Sequence, residues 1–148
     1  MGEVSTFKSR TGKLTCGADT FYTFITDIRN FRIFIPPGTA NDLVIDKESC
    51  SFNVNMLGQV KIFISEKHPF EKVIFSGNAL QINDFKLIAD VLNSDSVSSE
   101  IRIILQAELN PFLKMVAAEP INRLLDTLIA EMEKFRRWDD IKKHNQPL

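Results

Sequence analysis

Side chains able to do chemistry are few in this chain. It has two histidines, His68 and His144, and two cysteines, Cys16 and Cys50. A metal centre needs three or four ligands, commonly in closely spaced pairs. His68 stands alone before Pro69 and His144 lies near the end, so no metal and no other cofactor is expected. A nucleophilic triad cannot be assembled around one histidine. A reactive cysteine needs a base and a cleft. Cys50 alternates with Phe52 and Val54 instead, which reads as an inert thiol on an apolar face, and Cys16 only precedes a helix. Asp90 and Glu108 fall in the outward register of their strands, and Glu119 reads as a surface residue beside Pro120. Tyr22, between Phe21 and Thr23, could donate a proton, but its spacing does not fix which way it faces. No catalytic residue is assigned.

What remains is apolar. The 148 residues are 44% hydrophobic and 25% charged, with a formal net charge of -1. That length fits one domain, and the charge lacks the basic footprint of a nucleic-acid binder. Twelve phenylalanines stand against one tryptophan and one tyrosine. Phenylalanine supplies apolar area with no polar handle, so the interior is built to be greasy. The opening MGEVSTFKSR lacks the apolar stretch of a signal peptide. No run approaches the ~20 apolar residues of a membrane span, and two cysteines make no disulfide framework. A cytoplasmic protein with no integral membrane segment is expected.

The elements that position this apolar set are legible from periodicity. Residues 4–14 alternate loosely and read as a strand bent or bulged at Gly12. Residues 18–20 open a helix with Asp19 as its N-cap, carrying Phe21, Phe24, Ile25 and Ile28 at helical spacing. Residues 31–35 read as a second short helical piece, broken by Pro36-Pro37-Gly38. Strands with period-two alternation follow over 43–46, 50–56, 60–65, 73–77, 85–91 and 101–109. Asn110 then suits an N-cap and Pro111 the first helical position. The last helix carries Leu113, Ala117, Ile121, Leu124, Leu125, Leu128, Met132 and Phe135 on one stripe, with Pro120 expected to kink or divide it. Short connections imply an antiparallel sheet, whose apolar face needs a cover. A helix of roughly 40 Å is long enough to provide it. The chain reads as a single domain over 1–139 with a polar tail over 140–148.

This order resembles the START/Bet v 1-like superfamily, also called SRPBCC or polyketide cyclase-like proteins. The resemblance rests on the opening strand, on residues 18–27 (ADTFYTFITD), on residues 31–36 before the next strand, and on residues 110–135. It implies an α+β helix-grip fold: a seven-stranded antiparallel sheet curved around a long C-terminal helix, with two short helices after the first strand. The glycine-rich loop of the plant allergen-type members would fall near residues 46–48, where this chain has no glycine. The general likeness is to small bacterial members. The superfamily includes lipid carriers, hormone receptors and cyclases, so the resemblance leaves the activity open.

On these registers Phe52, Val54, Ile62, Ile64, Phe75, Phe85, Leu87, Ile103 and Leu105 face Leu113, Ala117, Leu124 and Leu128 from the helix. They are the expected lining of a cavity, placed under residues 113–117 in particular. The expected function is binding, with transport as an extension of it, of a small hydrophobic or amphipathic molecule. Two alternatives stand beside it: a cyclase or dehydratase acting on a polyketide-like substrate, and an interaction module with a filled core. Phe63, Ile74, Ile88 and Ile104 fall on the opposite face of four successive strands. Such a band suggests a homodimer packed sheet to sheet.

Overall fold

The computed structural model describes residues 3–34, 40–45, 48–54, 58–79 and 82–138. The predicted Pro36-Pro37-Gly38 break, the Val54 side chain and the tail beyond residue 138 lie outside what is described. Eight strands form one antiparallel sheet: β1 (Glu3–Lys8), β2 (Gly12–Leu14), β3 (Ala40–Ile45), β4 (Ser49–Val54), β5 (Gly58–His68), β6 (Lys72–Ala79), β7 (Ile82–Ser94) and β8 (Ser99–Leu109). Between β2 and β3 come helix α1 (Ala18–Ile25) and a 3-10 helix (Ile28–Phe34); α2 (Pro111–Lys134) ends the sequence of elements. The spatial order is β1-β8-β7-β6-β5-β4-β3, with β2 also paired to β8. β1 and β2 therefore act as one bent strand, and the expected seven-stranded helix-grip arrangement is present.

The bend has a different cause from the one expected. Lys8 pairs with Ile104 and Gly12 with Ile101, so three residues oppose two and one is extra, which makes a bulge. Ser9 organises it. Its N–H donates to the Ile103 carbonyl, and its Oγ accepts from the Ile103 N–H at 2.9 Å while donating to the Arg10 carbonyl. Gly12 serves another purpose: a Cβ there would stand 2.7 Å from Ile129 Cγ2, so glycine lets α2 lie close on the strand.

α1 also starts differently. Its N-cap is Gly17, not Asp19, and Asp19 sits in the first turn, where its carboxylate accepts the Thr20 N–H at 2.8 Å. A Cβ at position 17 would meet the Asp95 carbonyl at 2.7 Å, so the neighbouring turn selects the cap. Asn30 lies buried inside the 3-10 helix and donates through Nδ2 to the Phe24 carbonyl at 2.9 Å.

α2 begins as expected: Asn110 Oδ1 accepts the Leu113 N–H at 2.8 Å and Pro111 opens the helix. Pro120 lies inside it without dividing it. The helix packs against β1, β2, β8 and the 3-10 helix. Past its end the chain carries Phe135 and Trp138 into an aromatic box with Phe21, Phe24 and Phe34. Trp138 lies 4.8 Å from Phe135, 4.9 Å from Phe24 and 5.6 Å from Phe34, centroid to centroid.

Candidate binding site beneath the C-terminal helix

The inward face of the sheet can be followed row by row through the pairing register. One row runs Phe7, Leu105, Leu87, Phe75, Ile64, each directly opposite the next. The adjacent row runs Ser5, Ala107, Phe85, Gly77, Ile62, Cys50. The first is made of large side chains, while half of the second is serine, alanine or glycine. Gly77 is small because β5 and Phe85 crowd it: a Cβ would stand 2.2 Å from the Lys61 carbonyl and 2.8 Å from Phe85 Cζ.

α2 supplies the roof, and its contacts set its register over the strands. Asp126 Oδ1 accepts the Arg10 N–H at 3.2 Å, Ile129 covers Gly12, and Glu133 accepts the Lys13 N–H at 3.0 Å. Ala117 is the buried side chain of the first half of α2.

Exposure varies across the interior. Leu14, Ile101, Ile103, Ile121, Leu125 and Ile129 are sealed at 0–2%. Phe7, Phe85, Leu87, Leu105 and Ala117 retain 7–8%, and Phe52 and Val60 retain 6%. Residual exposure of 6–8% thus falls on Phe7, Phe52, Val60, Phe85, Leu87, Leu105 and Ala117, and also on Cys16 and Ala79. The first half of α2 turns Phe112, Met115 and Val116 outward, at 65%, 72% and 41% exposure.

Of the side chains expected to line the cavity, Phe52, Phe85, Leu87, Leu105 and Ala117 border this residual surface. Ile62, Phe75 and Ile103 share the inward face but are sealed at 1–2%. Leu113 and Leu124 are half-buried on α2. Ile64 is half-buried and borders a cleft of about 850 Å³ with Thr26, Ile28, Glu48, Lys61 and Lys67. Ser5 was not singled out from sequence: in an alternating strand a serine reads as outward. Pairing with Ala107 turns it inward and leaves Val4 exposed at 69%.

On the outer face Ile74, Ile88 and Ile104 stand opposite one another across β6, β7 and β8. Ile74 is buried within the chain itself and Ile88 and Ile104 are half-buried, leaving Phe63 as the exposed member of the expected interface set. The carboxylates and thiols do not gather. Cys16 and Cys50 are buried, and Glu119 makes an exposed ion pair with Arg123 at 2.5 Å. Among the described residues no group of three or more His, Cys, Asp or Glu could hold a metal ion. No helix is long and apolar enough to cross a membrane.

This chain is thus an antiparallel sheet gripping a long C-terminal helix, the helix-grip fold. The solved structures it is similar to carry that fold. Norcoclaurine synthase from Thalictrum flavum superposes with a TM-score of 0.66 at 10% identity, covering 90% of this chain and 89% of that one. The same enzyme in complex with dopamine and hydroxybenzaldehyde gives 0.65 at 11% identity, over 99% and 91%. A hypothetical protein from Sulfolobus tokodaii gives 0.63 at 17% identity, over 96% and 98%. No protein-family model matches the sequence, and no curated protein matches it.

Proposed function

We propose that the protein binds a small hydrophobic or amphipathic molecule between the sheet and the first half of α2. The observation that carries this reading is that Phe7, Phe85, Leu87, Leu105 and Ala117 each retain 7–8% exposure, whereas Leu14, Ile101, Ile121, Leu125 and Ile129 retain 0–1%. A ligand there would be held mainly by removing its apolar surface from water, about 25 cal/mol per Å². Pockets of this kind bury most of a ligand and orient it with few polar groups. Norcoclaurine synthase, solved in complex with dopamine and hydroxybenzaldehyde, carries a similar fold, which supports a small-molecule reading.

Native mass spectrometry of the purified protein tests the reading first, through a mass excess that organic solvent removes. Titration with the neutral fluorophore 1-aminoanthracene tests it second. Ala117→Phe fills the space from above and is expected to weaken uptake of the fluorophore at least ten-fold without lowering Tm. No uptake by the wild-type protein, or equal uptake by the filled variant, would sink the proposal.

A further inference from the structure

Among the described residues one buried polar side chain borders the proposed pocket, and it is specific enough to say what kind of molecule fits. Ser5 is buried at 5% exposure, and its register against Ala107 places it on the inward face. Its hydroxyl makes no side-chain hydrogen bond among the described residues. The other buried polar side chains differ. Ser9 spends its hydroxyl on the bulge, accepting from Ile103 and donating to Arg10. Asn30 donates to Phe24. Ser99, opposite Leu14 at the far end of the face, is fully enclosed. Among the described residues Ser5 alone joins a spare hydroxyl to the residual apolar surface at Phe7 and Phe85.

Charge narrows the choice further. Lys8, Lys61, Lys86 and Arg102 all occupy outward register positions, opposite Ile104, Asn78, Ser76 and Asp90 respectively. A carboxylate or phosphate under α2 would lose its hydration without gaining a cation from these strands, which is costly. An uncharged hydroxyl or carbonyl loses much less, and a serine hydroxyl can both donate to it and accept from it.

We infer that Ser5 is the polar contact of the pocket, and that its ligand is amphipathic, with an apolar body and one uncharged hydrogen-bonding end. The assignment rests on the binding reading above. Naphthalene, 2-naphthol and 2-naphthoate share an apolar body and differ only at that end, so their affinities by calorimetry separate the two ideas. 2-Naphthol is expected to bind tightest, about five-fold better than naphthalene, the usual size of one net hydrogen bond, with 2-naphthoate weakest. Ser5→Ala is expected to bring the naphthol-to-naphthalene ratio to about one with Tm unchanged, and Ser5→Thr, which keeps the hydroxyl, to preserve it. If both neutral compounds bind and Ser5→Ala leaves their ratio intact, the Ser5 assignment falls while the pocket stands. If 2-naphthoate binds best, the uncharged class is wrong. If none of the three binds, the pocket reading fails and takes the assignment with it.

Discussion

The two halves of α2 lie on the same sheet and do different work. From Ile121 to Met132 the helix buries Ile121, Leu125, Leu128, Ile129 and Met132, each at 2% exposure or less. Each such side chain contributes roughly 1.5–3 kcal/mol. Polar ties reinforce this half: Glu133 accepts from Arg10 at 2.6 Å and from the Lys13 N–H, while Asp126 accepts from the Arg10 N–H. From Pro111 to Glu119 the only buried side chain is Ala117, and Phe112, Met115 and Val116 face outward. Within the sheet, Ile101 and Ile103 are sealed at 0–2%, while Phe7 and Leu105 retain 7%. A fold can thus anchor a helix at one end and keep interior surface available at the other without breaking the helix.

The largest test of this contrast is a pair of truncations. Leu125→Ala should cost about 3 kcal/mol, the usual penalty for a sealed leucine. Leu113→Ala should cost under about 1 kcal/mol, because its site is already half open. Chemical denaturation measures both, and equal costs would mean that the halves pack alike. Next in size is the cap. Asn110→Ala removes the acceptor of the Leu113 N–H and should cost about 1 kcal/mol, with faster hydrogen exchange confined to the turns before Pro120. Exchange that rises equally beyond Ile121 would argue that the halves are not separable.

The smallest effect concerns the anchored end. The hydrogen bond from Arg10, and then that from the Lys13 N–H, hold the Glu133 carboxyl below its ordinary value of 4.5. A depressed folded-state value stabilises fully above the ordinary range and is lost as pH falls through the folded value. The tie should therefore persist at neutral pH and fade in acid. Since both partners are partly exposed, at 48% and 30% for Arg10 and Glu133, its worth is under about 1 kcal/mol. Glu133→Gln should lose that much at pH 7 and flatten the acid limb of the stability profile. An unchanged acid limb would remove Glu133 from the latch.

Local chemistry was legible in the sequence, and tertiary contact was not. Asn110-Pro111 identifies the start of α2 because cap and first-turn preferences act within a few residues. The alternation located β4 to β8, since one face of each carries buried side chains, and the short run at 43–46 located β3. Gly12 was a true signal with the wrong meaning: it marks the close approach of Ile129, while the bend belongs to Ser9. The cap of α1 went to Gly17 because the Asp95 carbonyl lies against it, a contact from about eighty residues away in the chain that residue preference at Asp19 cannot anticipate. In the candidate site, the large inward side chains were readable from alternation. Ser5 was not, because only its pairing with Ala107 reveals which way it faces.

Trp138 carries one more consequence. It is the chain's only tryptophan, and it sits at 2% exposure in the aromatic box at the anchored end, its indole N–H without a partner among the described residues. The protein thus has a built-in optical reporter wired to one end alone. Its emission should be blue-shifted while the anchor holds and move to the red when Phe24, Phe34 and Phe135 come apart. Events at the Ser5 end, a bound molecule included, should leave that signal unmoved, so optical silence during a titration would be informative about where the molecule sits.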